Sequence, residues 1–494
     1  MSEKKVASKN FVNKLFENRL LLTAGCVLLA VGVIILNWSL AFDNVVWGDE
    51  AFSSTVVRDA DFAGILQRIY YWDNHPPLYY FWLKMFSLIF GNHIPVYHAA
   101  SLVPFTGSVI LALFPVRRKI GEVPAAFMIA IMGLSSVTAE YNLEIRMYEL
   151  CFFFIFVTFL LGLKVLENGK PVYWIFLTVF SVLAAYTHYF GLVTGGLILF
   201  FVSLIYFLRC RGKSWLYGVI SVVGFFVLYS PWLYVLLSTH ISATAGDNWL
   251  DVIEPVGTLA KIIFCGDRLY PVLLPATVVF AVFAYAMEIR AHGIRRISVE
   301  LMGITVGIAV ILSTLAFTYF TSYVITTITV GRYMYPLVPV MLFVLSLSIN
   351  RFMHFAKLSD KETTGETVIA LLFLVIFAFG LLDFKNYRTV VKVEDVVTKE
   401  TLETVGEPGK DALFVGAGVK HLSWTVLKHY YPNNEIAGNA LTELPSYPSE
   451  IWAFLGYEVD AATESFMAKK GYSTQDLGTK QLGKYTVRLY HYYK

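Results

Sequence analysis

Apolar residues occur along this chain in long unbroken runs, without the two-residue alternation of strands. The runs lie near 20–42, 95–116, 121–138, 147–166, 172–187, 190–208, 214–237, 271–289, 299–322, 333–349 and 367–384, separated by polar segments. A bilayer core about 30 Å thick takes roughly 20 apolar residues per helix, so these eleven runs predict eleven transmembrane helices. The stretch PPLYYFWLKMFSLIFG at 76–91 is the odd one. It is apolar, opens on two prolines, carries Lys84 in its middle, and would reach only about 22–24 Å as a helix.

Charge decides where that stretch goes. If it does not span, the basic residues of the N-terminus and of the loops at 117–119, 164–170, 209–213, 290–296 and 351–361 share one side. They number 19, against seven in the loops opposite. Lys and Arg concentrate in cytoplasmic loops, and letting 76–91 cross would destroy the asymmetry. The segment is therefore expected to lie in the outer interface, with Lys84 facing the surface. Residues 51–72 read similarly, with Phe52, Val56, Phe62, Ile65, Leu66 and Ile69 at helical spacing and charges between them. The first apolar run follows a basic start with no small-residue cleavage site, so a retained helix is expected. The predicted protein crosses the plasma membrane many times, with its N-terminus cytoplasmic and its C-terminus outside.

Two regions follow from this reading. Residues 1–384 form the transmembrane domain, with a first extracytoplasmic loop at 43–94. Residues 385–494 form a small extracytoplasmic α/β domain, with strand-like runs in DALFVGAG, IWAFLGYEV and YTVRLYHYY and helices near 419–430 and 461–470. GAG at 416–418 lacks the remaining glycine of a dinucleotide fingerprint. The composition agrees: 57% of the residues are hydrophobic and only 15% charged, where soluble proteins carry about 25%. A net charge of +3 gives no reason to expect nucleic acid. Cys26, Cys151, Cys210 and Cys265 form no CxxC or zinc-like spacing, so neither a disulfide framework nor a zinc site is indicated.

With this topology the chemically interesting residues all fall outside. Asp49 and Glu50 lie in VWGDEA, His75 in HPPLYY, and Glu144, Arg146 and Tyr148 in EIRMY. His188 lies in the tight turn AYTHYFG, and Arg332 and Tyr333 in GRYMYP. The loop at 238–270 adds His240, Asp247, Asp251, Glu254, Asp267 and Arg268, which read as a solvated loop. Ionisable groups at membrane depth are costly and point to function. The phosphate loop, HExxH and GxSxG signatures are missing, so nucleotide-driven work and serine hydrolysis are unsupported. A lipid-linked sugar phosphate suits such a chamber, since its head sits at the interface and its tail between helices. Arg332, Arg146 or a bound metal would stabilise the leaving phosphate. A single carboxylate taking the acceptor hydroxyl's proton would invert the anomeric centre. Asp49, at the outer end of the first span, is the candidate base.

At GDE (48–50), HPPLYY (75–80), EIRMY (144–148), THYFG (187–191) and GRYMYPLVP (331–339) the chain resembles the membrane glycosyltransferases of the C-type fold. These include protein O-mannosyltransferases and the bacterial lipid A aminoarabinose transferase group. The likeness covers roughly residues 20–350, and DE followed by HPP some 25 residues later is its most specific part. It implies transfer of one sugar from a polyprenyl-phosphate donor to a glycan, lipid or protein hydroxyl. It makes Asp49 the base and gives Glu50 and His75 the support of the loop and acceptor. Arg332, Tyr333, Arg146, Tyr148, Glu144 and His188 would meet the donor phosphate. Where many relatives carry arginine after HPPL, the nearest residue here is His98. No cofactor is implied with certainty; some relatives use a divalent metal, and Glu50, Glu144 and Asp251 are oxygen donors without a compelling spacing. The competing readings are a ligase with a lipid-diphosphate donor and, less favoured, a transporter, which would place charges near the midplane and show matching halves.

Overall fold

The computed structural model describes residues 16, 18–43, 45–209, 213–241, 252–293, 297–359, 361–420 and 422–494. The chain is a multi-pass helical membrane protein. Among the described residues nine helices are long and apolar enough to cross a bilayer: Arg19–Trp38, Ile94–Ile120, Tyr148–Asn168, Tyr189–Arg209, Lys213–His240, Tyr270–Ala291, Val299–Val324, Gly331–Leu358 and Glu362–Val405. The two remaining expected runs depart from an ordinary span. Pro171–Thr187 is an apolar helix of 17 residues. The third run is a pair, Glu122–Leu134 and Ser136–Leu143, bent by 66°.

That bend has a visible cause. Ser135 is extended (φ −74°, ψ 143°), and its hydroxyl oxygen accepts the N–H of Val137 at 3.2 Å and donates to the Cys265 carbonyl at 2.9 Å. The Asp383 carboxylate, from the last long helix, accepts the N–H of Ser136 at 2.7 Å. A backbone broken at membrane depth is stable only where such partners satisfy its freed groups. Past the bend the chain meets the first loop, where the Ile145 N–H donates to Glu50 at 2.9 Å.

Small residues let the helices cross closely. A Cβ on Gly133 would stand 2.3 Å from Val33, and one on Gly307 would stand 2.3 Å from Val344. Asn37 ties the first crossing by donating to the Gly133 carbonyl at 2.9 Å. Basic loops meet at one end of the bundle, where Arg19 and Arg117 reach Glu122, and Lys119 and Lys164 reach Glu167.

The first loop forms three short helices, Gly48–Asp59, Phe62–Trp72 and Leu78–Phe90. Ala60 is extended and Asp61 caps the second helix through the Gly64 N–H, so 51–72 is two helices instead of one. Trp72, Leu88, Ile89 and Phe90 are exposed apolar side chains suited to the bilayer interface. Lys84 is partly exposed and tied down: its ammonium donates to the Val57 carbonyl at 2.7 Å, at the C-terminal end of the 48–59 helix. His98 is buried and held by the Ala41 carbonyl at 3.0 Å.

The last helix runs 44 residues, to Val405, roughly 66 Å at 1.5 Å per residue. It passes through the expected division at 384/385 and leads into a sheet. The strands are β1 (Leu413–Ala417), β2 (Glu435–Ala437), β3 (Glu450–Leu455), β4 (Ser473–Leu482) and β5 (Tyr485–Tyr493), in the order β2-β1-β3-β5-β4. The β2-β1-β3 portion is parallel and β3-β5-β4 antiparallel. Alternate side chains take opposite faces. Leu413, Val415, Ile451 and Ala453 form the domain's own core, while Phe414, Trp452, Phe454 and Leu489 join the core that continues into the membrane domain.

Candidate active site

Asp49 is the second residue of the 48–59 helix, where the orphan N–H groups make the end of a helix favourable to a carboxylate. Its side chain is 24% exposed, and its Oδ2 lies 3.6 Å from Nη2 of Arg332. Glu50 turns the other way and is 5% exposed. Its carboxylate accepts the N–H of Trp47 at 3.1 Å and that of Ile145 at 2.9 Å, stitching the start of this helix to the EIRMY segment. Burial, countered by Lys484 and by those two N–H groups, raises its pKa above the usual carboxylate value.

Glu144 and Arg146 do not pair side chain to side chain. Glu144 accepts the indole N–H of Trp47 at 2.9 Å. Burial first, then the neighbouring Glu50 and Glu140, push its carboxyl up to about 8. Arg146 is 2% exposed. Its Nη1 donates to Ser53 and to the Tyr80 hydroxyl, each at 3.1 Å, and to the Asp49 carbonyl at 3.5 Å. Among the described residues no carboxylate lies within 4 Å of this guanidinium, and its Nε has no partner. Burial disfavours the charge, but the oxygens of Tyr80, Asp49 and Asp73 more than offset that and hold it protonated. A buried cation without a contacting anion is expensive unless an anion is to be received there.

Asp73 was not singled out in the sequence. Its carboxylate accepts Nδ1–H of His75 at 2.7 Å and the hydroxyl of Tyr80. Burial would raise its pKa, but His75, Arg146 and Tyr80 outweigh burial and hold it well below the usual carboxylate range. Nη2 of Arg146 also lies 3.2 Å from the same His75 nitrogen. An ionised carboxylate is the stronger acceptor, so the proton belongs to the bond with Asp73. Nε2 of His75 is thereby left as the ring's remaining functional atom. The only sequence signal was an acid two residues before HPP.

His188 caps the 171–187 helix and begins the turn into the next. Gly191 makes that turn possible, since a Cβ there would meet the Ala184 carbonyl at 2.2 Å. The Phe190 N–H donates to Nδ1 of His188 at 3.0 Å, which places the ring proton on Nε2, buried and without a partner. The ring lies 5.6 Å from His75, 5.5 Å from Tyr148 and 5.4 Å from Tyr333, centroid to centroid. The Tyr148 hydroxyl is likewise buried and unpartnered. Arg332 lies over the rings of Trp47, at 5.2 Å, and Tyr333, at 5.9 Å.

Three of these groups, His75, His188 and Tyr333, line a cavity of about 320 Å³. Asn74, His75, His188 and Tyr333 form its polar end, and Leu192, Val193, Leu236, Phe317, Ile325 and Ile328 are among its apolar walls. Phe317 and Ile325 are also exposed, so the cavity borders the lipid-facing surface. The structure thus gathers Asp49, His75, Glu144, Arg146, Tyr148, His188, Arg332 and Tyr333 at one place, with Glu50 behind them. The 238–270 loop contributes less. His240 lines the cavity, Asp267 pairs with Lys261 and Arg268 with Asp383, and the Glu254 backbone N–H donates to Thr329. Asp247 and Asp251 lie outside the described residues. Among the described residues no group of three or more His, Cys, Asp and Glu side chains is placed to hold a metal ion.

Residues 74–235 match the family described as dolichyl-phosphate-mannose-protein mannosyltransferase. That stretch includes HPPLYY, EIRMY and THYFG but not Asp49. No curated protein matches the sequence. Among solved structures the fold is similar to that of ArnT from Cupriavidus metallidurans bound to undecaprenyl phosphate, with a TM-score of 0.60 and 12% identity over 94% of this chain and 98% of that one. The apo state of the same protein gives a TM-score of 0.56, again with 12% identity and the same coverage. About a third of the chain thus matches that family's model, and the whole chain is folded like ArnT.

Proposed function

We propose, from that region and fold, that the protein is an inverting membrane glycosyltransferase. It would move one sugar from a polyprenyl-phosphate donor to an acceptor hydroxyl on the outer side of the membrane. The observation that carries this is the junction of one partly exposed carboxylate, Asp49, with two arginines that adjoin His75 and Tyr333, residues lining an apolar cavity that borders the lipid. The polyprenyl chain would occupy the cavity. Its phosphate would come to rest among Arg332, Arg146 and the Nε2–H of His188, all of which have nitrogens without partners. The Tyr148 and Tyr333 hydroxyls lie beside it, and His75, held by Asp73, stands at the same polar end.

In the reaction the acceptor oxygen attacks the anomeric carbon as the bond to the phosphate oxygen breaks. Asp49 takes the hydroxyl proton, and the arginines stabilise the charge growing on the leaving phosphate. One base on one face gives inversion. Asp49 and Arg332 face each other at 3.6 Å with no donor bound, and an arriving phosphate would share the guanidinium and free the carboxylate for the acceptor. The fold of a protein solved with undecaprenyl phosphate supports this class of donor. Clustering of the basic loops at the other end of the bundle supports an N-terminus inside and a C-terminal domain outside.

The test uses purified full-length protein in detergent. Mass spectrometry of the co-purified lipid identifies the donor class, and transfer is followed as released polyprenyl phosphate. Release of polyprenyl diphosphate would instead establish the ligase, and uptake into proteoliposomes without any lipid product would establish a transporter.

A further inference from the structure

The C-terminal domain grips the helix that carries Asp49 at both ends. At the near end the tight turn between β4 and β5 does so with three consecutive residues. A Cβ on Gly483 would stand 2.0 Å from the Val46 carbonyl, so the turn touches the backbone three residues before Asp49. Lys484 reaches Glu140 at 3.3 Å and lies beside Glu50, Glu144 and Glu394, the acids behind the site. The Tyr485 hydroxyl oxygen accepts the N–H of Gly48 at 2.8 Å. That N–H is one of the orphan donors at the helix start, and among the described residues of the first loop none accepts it. The turn is itself anchored on the long final helix: Thr401 donates to the Gln481 carbonyl at 2.6 Å, and Gly483 N–H donates to Thr398 at 3.2 Å. At the far end Ser54 shares a hydrogen bond of 2.7 Å with His429, and Arg58 donates to the Lys428 carbonyl at 3.3 Å.

We propose that the C-terminal domain is a positioning element of the active site. Its 483–485 turn fixes the start of the 48–59 helix, and with it the direction of the Asp49 carboxylate. The inference rests on the reading of Asp49 as base. Tyr485 does not touch substrate; it acts through Gly48. Arg146, Arg332 and His188 make no contact with the turn, so donor binding should be indifferent to it while the chemical step is not.

The experiment compares Tyr485→Phe with Tyr490→Phe in the full-length protein. Tyr490 is a matched control, because its hydroxyl accepts a backbone N–H, that of Val459, at 3.1 Å entirely within the C-terminal domain. Tyr485→Phe should lower kcat roughly tenfold or more, as a small misplacement of a catalytic group does, with donor KM unchanged. Amide exchange in the 46–52 peptide should rise in Tyr485→Phe and not in Tyr490→Phe, and Tyr490→Phe should leave kcat at the wild-type value. Lys484→Met, which leaves the tyrosine in place, should raise the same exchange. The proposal is overturned if Tyr485→Phe keeps wild-type kcat and exchange, or if both tyrosine variants lose kcat and thermal stability together. Should the wild type transfer no sugar from any polyprenyl-phosphate donor, the functional reading fails, while the exchange measurement still decides whether the turn holds the helix.

Discussion

Asp49 and Glu50 are adjacent acids, and exchanging each should give opposite phenotypes. In Glu50→Ala two buried N–H groups, those of Trp47 and Ile145, lose their acceptor. Each orphaned donor costs about 1–3 kcal/mol, so the loss is roughly 2–6 kcal/mol. At about 2 cal/mol/K of unfolding entropy per residue, a chain of 494 residues shifts by about 1 °C per kcal/mol. Glu50→Ala should therefore lower the apparent melting midpoint by roughly 2–6 °C. Asp49→Asn keeps the shape and gives up only a partly exposed ion pair at 3.6 Å, worth about 0–1 kcal/mol. Its midpoint should stay within about 1 °C, while loss of the proton acceptor should cost roughly 10²–10⁴ in kcat. Both are measured on one detergent preparation, by intrinsic-fluorescence melting and by initial rates of polyprenyl-phosphate release. An Asp49→Asn enzyme keeping more than about a tenth of the rate would refute the assignment of the base. A Glu50→Ala protein melting with the wild type would refute the structural role of its neighbour.

Three further outcomes follow from the same geometry. Arg146→Met removes a buried cation that no carboxylate contacts, and should raise donor KM roughly tenfold or more, since a hydrogen bond to a charged group is worth about 1.5–3 kcal/mol; an unchanged KM would remove Arg146 from the phosphate site. The Glu144 carboxyl is raised from an ordinary value of 4.5 to about 8. Its contribution to stability is therefore fully present below about pH 4.5 and is lost as pH rises through about 8. Melting midpoints of the wild type should fall across that window and those of Glu144→Gln should fall less; parallel curves would contradict the burial of a protonated acid. Lys84→Glu sets a carboxylate against the Val57 carbonyl and should cost about 1–3 kcal/mol, read as a lower midpoint; a midpoint equal to that of the wild type would contradict that contact.

Much of the fold was legible because apolar runs and basic loops are written in residue type alone. The same information could not reveal the bend at Ser135. The third run is continuous in hydropathy, and the break depends on Asp383, almost 250 residues away, accepting a single N–H. The partner of Lys84 was hidden for a related reason: a charge in an apolar stretch signals the surface, and the carbonyl that meets it comes from another helix. At the site, the motif residues were visible as costly polar groups at a membrane face. Asp73 was not, since an acid in a polar loop is unremarkable before His75 and Tyr80 close on it. Nor was the part played by 483–485, whose Gly-Lys-Tyr looks like any hairpin turn.

The paired acids show what sequence can and cannot decide. Successive residues on a helix point about 100° apart, so of two adjacent carboxylates at a helix start only one can fold back on the backbone. Glutamate at the third position has the reach to accept the N–H of the capping residue, as Glu50 does with Trp47. Aspartate at the second position has not, and its shorter arm is directed outward to Arg332. The order Asp-Glu therefore already favours the first acid for chemistry and the second for capping. What the order leaves open is whether the outward face meets water or a phosphate. That depends on elements remote in the chain: Arg332 at the head of the tenth run, Arg146 beyond the bend, and the turn of the C-terminal domain that holds Gly48.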